Sequence, residues 1–252
     1  MSVKAESFYV GAPAGAESVR VGLKWLYEWG HPSEPGVIVL PTMEHFKQSG
    51  YLADAIGADA LRAIPRRGLT ASGGRRLAGS TPRALERSRS SFGAALAVFV
   101  GSQGVQQLHD NHRIGALCAV PWLRDELDVW IAAAAAQDLM TGAAAATARA
   151  ADPVVQAALE MLTRHVNISS GIAHPNDKAR SAEMFKILAS AGHAWEEQNL
   201  IAAAVAAGWT MQDARALVKL GAKTRAGRNV KTQPGPWWAD DILHQWRAAT
   251  SE

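Results

Sequence analysis

The sequence predicts an α/β domain of parallel strands, Rossmann-like or RecA-like, followed by an all-helical domain. Three observations carry this. Residues 93 to 122 read as a complete strand, helix and strand; strands and helices alternate from residue 8 to about 140; and only helical signals remain beyond residue 152. Ala94 to Val100 is a continuous apolar run ended by Gly101 and Ser102, the pattern of a strand buried on both faces. Gln103 to His109 sets Val105 and Leu108 on one side of a short helix, and Leu117 to Val120 supplies the second strand. The connection from Ser102 to Gly115 is long enough for the right-handed crossover that parallel neighbours require.

The remaining elements follow in chain order. Phe8 to Val10 is a short strand that ends in the glycine-rich turn GAPAGAES, and Val19, Leu23, Leu26 and Trp29 then recur at helical spacing. Gly36 to Leu40 is a second strand, closed by Pro41 and Thr42 ahead of a helix from Met43 to Ile56. Ala60 to Ile64 fits either a short strand or the tail of a helix. The segment RRGLTASGGRRLAGSTPRALERSRSS has no sustained apolar period and reads as a long loop, with a helical turn after Pro82. Leu123 to Met140 reads as a helix, with Leu127, Trp130, Ile131 and Ala134 on one side. The domains are therefore placed at 1–140 and 152–252, joined by an alanine-rich linker at 141–151.

In the second domain, Asp152 then Pro153 are a cap and first residue for a helix to Arg164. Asn176 or Asp177 caps the next, which buries Ala182, Phe185 and Leu188. Helices from 196 to 207 and from 211 to 220 follow, with Thr210 as a cap and Gly221 as the stop. A last helix sets Trp238, Ile242 and Trp246 on one face, as core.

The net charge of +3 hides an uneven layout. Arg62 to Arg89 holds eight arginines and one acid, and Lys219 to Lys231 holds five basic residues and no acid. The remainder carries 13 basic and 22 acidic residues, so two positive patches sit on an acidic body. Concentrated positive charge attracts polyanions, which makes nucleic acid the expected partner. The single cysteine, Cys118, lies in the second buried strand and excludes an intrachain disulfide framework. The first ten residues lack a secretory pattern, and no stretch approaches the roughly 20 apolar residues of a membrane span. These features predict a soluble, cytoplasmic protein that does not enter a membrane.

Two sets of residues are candidates for nucleic-acid contact. In the arginine-rich loop, Arg66, Arg67, Arg75, Arg76 and Arg83 supply charge, and Gly73 and Gly74 let the main chain approach a phosphate backbone. A basic loop with no partner has the same composition. In the helical domain, the 196–207 and 211–220 pair has helix-turn-helix spacing, and Gln212, Arg215 and Lys219 share one face opposite Ala214, Leu217 and Gly221. Lys223, Arg225, Arg228 and Lys231 follow as phosphate contacts. An ordinary helical hairpin with a solvated face is the competing interpretation, and Asp213 beside the reading residues favours it.

A second class of function, an enzyme or a binding protein, places a small phosphorylated ligand where Gly11, Pro41, Thr42, Gly101 and Ser102 converge at the carboxyl edge of the sheet, under the arginine loop as a lid. Glu17 opposes this because its carboxylate repels phosphate, and Gly15 is followed by Ala16, Glu17 and Ser18 where an ATP loop needs a lysine followed by Ser or Thr. A third class is a protein-interaction module, for which exposed Trp237 and Trp238 would be anchors. His109, Asp110 and His112 lack further ligands at metal-binding spacing, so no metal site and no cofactor are expected.

Residues 8 to 120 resemble the first RecA-like domain of DEAD-box-type helicases. GAPAGAES stands where their ATP loop lies, VIVLPTMEHFKQ is similar to the strand and turn that carries a Pro-Thr contact to nucleic acid, and GSTPRAL resembles their Thr-Pro-Gly-Arg-type segment. The ATP-loop lysine is missing and AVFVGS carries no Asp-Glu pair for magnesium. The resemblance therefore implies nucleic-acid contact around Pro41, Thr42, Thr81, Pro82 and Arg83, without hydrolysis.

Overall fold

The structure is a computed structural model. It describes residues 5–29, 33–70, 74–123, 125–146, 148–168, 171–228 and 235–250. The chain forms two units, Met1–Ile131 with Ala135–Ala145 and Ala132–Ala134 with Ala146–Glu252. The main division falls inside the predicted linker.

In the first unit β1 (Glu6–Tyr9) leads into α1 (Ala16–Glu28), and β2 (Gly36–Val39) leads into α2 (His45–Gln48), α3 (Gly50–Ile56) and α4 (Ala58–Arg67). β3 (Leu69–Thr70) and β4 (Arg76–Ser80) precede α5 (Pro82–Arg87), β5 (Phe92–Val98) and α6 (Ser102–His109). β6 (Ile114–Val120), α7 (Asp128–Ala134) and β7 (Gln137–Asp138) complete it. One seven-stranded sheet results, in the order β3-β4-β2-β5-β6-β1-β7, with only the β3 and β4 pair antiparallel.

Alternation along the strands divides the core into two layers. Phe8, Ile38, Leu96, Val98, Cys118 and Val120 face α1 to α4, where they meet Val19, Leu26, Phe46, Leu52, Leu61 and Ile64. Val37, Val39, Ala95, Ala97, Leu117 and Ala119 point the other way and are equally buried. Ser7 on that second side reaches His109 of α6 (Oγ to Nδ1, 3.2 Å), which locates α6 there. Helices on both faces explain why β5 and β6 read as unbroken apolar runs.

Two expectations for the first unit need correction, and one alternative is resolved. The segment read as a long loop holds the end of α4, the β3 and β4 pair, and α5. RLAGS escaped notice because β4 is only half-buried and carries Gly79, where a Cβ would lie 2.6 Å from Ile64 and 2.9 Å from Phe46. Ala60 to Ile64, open between strand and helix in the sequence, belongs to helix α4. The helix expected over Leu123 to Met140 is confined to Asp128–Ala134, because Ala135 (φ 47°) turns the chain into β7, a strand too short to show a period.

The second unit is helical, as expected: α8 (Pro153–His165), α9 (Pro175–Ser190), α10 (Glu197–Ala206), α11 (Met211–Arg225) and α12 (Ile242–Ala248). Trp209, Trp238, Ile242 and Trp246 are buried. His174, rather than Asn176 or Asp177, caps α9: its Nδ1 accepts from the Asn176 N–H at 3.3 Å. Gly221 does not stop α11, which continues to Arg225. Its role is packing, since a Cβ there would sit 2.8 Å from the Phe185 ring of α9. Gly221→Ala is expected to lower stability by about 1–3 kcal/mol through overpacking, against the usual gain from alanine in a helix, as read by thermal unfolding.

Asp152 caps α8, its Oδ1 accepting from Val154 N–H at 2.8 Å, while Oδ2 lies 2.8 Å from His193 Nδ1. Partial burial pushes this carboxyl up, but the bonds from His193, Val154 and Val155 and the charge of His193 outweigh it, leaving it below its ordinary range. A lowered carboxyl contributes stability that is complete above the unfolded value of about 4 and is lost as pH falls through the folded value. Urea unfolding should show Asp152→Ala less stable by about 1 kcal/mol at neutral pH, the gap narrowing below about pH 4.

Candidate nucleic-acid interface

In the parallel part of the sheet every strand begins at one edge and ends at the other, and this sorts the predicted residues. α4 returns the chain to the amino edge, so Arg66 and Arg67 at its end and Arg76 at the start of β4 share that edge. Arg87 and Arg89, just ahead of β5, join them. All five are exposed, and none forms an ion pair among the described residues. Arg83 lies at the opposite edge, one residue inside α5.

Arg75 leaves the contact set. It is 2% exposed, and its Nη1 donates to the carbonyls of Tyr27 (3.2 Å) and Trp29 at the end of α1. A guanidinium satisfies orphan carbonyls there and is favoured by the helix dipole. Burial lowers its pKa and the charge of Glu34 opposes the shift. Charge counting could not separate this structural arginine from Arg76 beside it. Arg75→Ala should cost about 1–3 kcal/mol in urea unfolding while leaving nucleic-acid affinity per folded molecule unchanged, whereas Arg76→Ala should do the reverse.

At the carboxyl edge, Leu40 N–H bonds Ser80 O (3.1 Å), so Pro41 and Thr42 after β2 lie beside Thr81, Pro82 and Arg83 after β4. Thr42 Oγ1 is 2.7 Å from His45 Nδ1. Thr81 is nearly buried and caps α5, its Oγ1 accepting from Ala84 N–H at 3.2 Å. Arg83 is exposed.

Farther along this edge the surroundings turn against phosphate. Gly11 N–H already donates to Asp138 Oδ1 (3.0 Å), and Asp125 and Asp128 line the same opening with Tyr9 and Gly11. Burial and the charges of Asp138 and Asp128 raise the Tyr9 phenol above its ordinary range. Glu17 occupies the first turn of α1. Gly101 caps α6 ahead of Ser102, with Glu126 Oε1 3.2 Å from where a Gly101 Cβ would stand. The arginine-bearing end of α4 lies at the opposite edge and forms no lid here. The N–H of Gly11, expected at the ligand site, is thus already taken by Asp138, a residue that no sequence motif marked.

In the second unit α10 and α11 are joined by residues 207–210, with Gly208 at φ 108°. Met211, Ala214, Leu217, Val218 and Gly221 bury one side of α11; Gln212, Arg215, Lys219 and Lys223 are exposed on the other. Asp213 is engaged at the helix start. Its backbone N–H donates to Thr210 Oγ1 (3.1 Å) and its Oδ2 accepts from that hydroxyl (2.7 Å). Arg225 is partly engaged, donating to Trp195 O (3.0 Å) with its guanidinium 5.1 Å from the Trp195 ring. Arg228 is exposed; Lys231 lies outside the described residues.

The expected tryptophan anchors are not an open pair. Trp238 is buried and donates from Nε1 to Arg180 O (2.9 Å). Trp237 is half-buried, and its backbone N–H meets Glu183 Oε2 at 3.1 Å. His109 packs against Trp130. Among the described residues no group of three or more His, Cys, Asp or Glu is arranged to hold a metal, and no helix is long and apolar enough to cross a membrane.

Residues 151–247, which span most of the second unit, match the model of a family described as a domain of unknown function, DUF1889. Comparisons with curated proteins and with solved structures return no match.

Proposed function

We propose that the protein binds nucleic acid without catalysis, using the exposed face of α11 and the arginines of the first unit. The observation that carries this is the row Gln212, Arg215, Lys219 and Lys223. It holds three cations and an amide on the open side of a helix whose other side is packed, while Asp213 is tied to its own cap. Over the eleven steps from Gln212 to Lys223 such a helix rises about 16 Å, enough to reach several phosphates or to enter a major groove.

The cations at the amino edge of the sheet support the same reading. So does the meeting of Pro41, Thr42 and Arg83 at the ends of β2 and β4, the positions that the helicase resemblance marks for nucleic acid. The acids around Gly11 weigh against a small phosphorylated ligand. We place the protein in the cytoplasm, a compartment that suits a chain whose single thiol is buried.

Fluorescence anisotropy with labelled single- and double-stranded DNA and RNA across a salt series tests this. Affinity should fall steeply with salt, and the Arg215→Ala, Lys219→Ala, Lys223→Ala triple variant should flatten the log–log slope by about two to three. An unchanged slope with the triple variant would remove α11 from the interface, and absence of binding at low salt would end the proposal.

A further inference from the structure

We infer that the first unit carries a second site, a cleft for a small organic cation bearing a flat ring. The cleft, about 640 Å³, opens at the carboxyl edge among His45, Tyr51, Asp54, Phe99, Trp122 and Glu126. Its floor is three aromatic rings from three separate segments: Tyr51 in the first turn of α3, Phe99 just past β5 and Trp122 just past β6.

The rings form one group. Phe99 meets Trp122 edge to face at 5.0 Å between centroids, and Tyr51 lies 6.0 Å from Phe99 and 6.3 Å from Trp122. Yet Tyr51 is 39% and Trp122 53% exposed, so a large π surface faces the cleft rather than the core. Phe99 has φ 56°, a conformation costly for a residue with a Cβ. Strand alternation would send it to the face opposite Val98; instead it packs against the core layer that holds Val98, beside Tyr51 and Trp122. The backbone distortion thus builds the floor.

The charge of the walls selects the ligand. Asp54 and Glu126 line the cleft, and among the described residues no lysine or arginine does. Glu126 Oε2 accepts from the N–H groups of Trp122 (3.2 Å) and Leu123 (3.5 Å), which holds the Trp122 turn in place while keeping a carboxylate at the rim. Aromatic faces carry negative potential and attract ammonium and guanidinium groups, and the carboxylates add to that attraction. A phosphate or carboxylate ligand is repelled. The cleft therefore takes the opposite charge to the α11 surface, and it stands or falls independently of nucleic-acid binding.

The test is titration of the full chain with benzyltrimethylammonium, with neutral benzyl alcohol and anionic phenyl phosphate as controls. Binding is followed by saturation-transfer NMR and by the indole N–H resonance of Trp122. The cation should bind saturably and tighter than either control. Trp122→Leu should weaken it about tenfold and Asp54→Asn about threefold. Both side chains are exposed, so the variants should fold and keep wild-type nucleic-acid affinity. Equal binding of benzyl alcohol, preference for phenyl phosphate, indifference to both substitutions, or no saturation by about 10 mM cation would each overturn the assignment.

Discussion

The parallel pairing of β5 with β6, in register from Phe92 and Ile114 to Val98 and Val120, is the interaction on which the first unit depends. Ala94 to Val98 and Ala116 to Val120 are wholly or almost wholly buried, so their peptide groups need partners at both edges and their side chains need cover on both faces. β2 and β1 supply the edges; helices supply the cover. The many alanines let those helices come close, and where α1 crosses the sheet Gly22 leaves room for Leu96 and Val120, which a Cβ would meet at 2.7 Å and 3.0 Å. Because these strands are parallel, every helix leaves from one edge and returns to the other. On that frame Arg66, Arg67, Arg76, Arg87 and Arg89 stand at the edge where chains return, and Asp54, Asp125, Glu126 and Asp128 at the edge where they leave.

The second unit solves a different problem. α11 must lie against α9 and α10, and the absence of a side chain at Gly221 lets it approach Phe185. Once that packing fixes which side of α11 is inside, the outward row is determined, and nothing in the unit's own fold calls for three cations on it. Asp213, the only acid within α11, is held at the start of the helix by Thr210.

How much of this was legible follows from what each feature depends on. The central strand-helix-strand unit, the helical second half and the buried Trp246 of α12 are local patterns, and each stood in the sequence as a run or a period. β4 and β7 were hidden because a half-buried RLAGS and a two-residue strand have no period to detect. Gly221 looked like a stop signal because its contact, Phe185, lies on another helix. Arg75 and Arg76 are adjacent and chemically identical, and only tertiary structure separates the one that holds α1 from the one that faces water. The aromatic cleft was invisible for the same reason: Tyr51, Phe99 and Trp122 are brought together by topology, and no spacing relates them.

The same topology explains how one chain can present surfaces for opposite charges. Its net charge of +3 describes neither, since the body outside the two basic segments carries 13 basic and 22 acidic residues. A polyanion senses local potential over about a Debye length, roughly 8–10 Å at moderate salt, so it is drawn to the exposed cations and turned away from the acids near Gly11 and the cleft. Salt should then act with unequal weight on the two proposed sites. The proposed nucleic-acid binding would rest on many released counterions and weaken steeply. Binding of a single organic cation rests mainly on ring contact, with one or two carboxylates assisting, and weakens little.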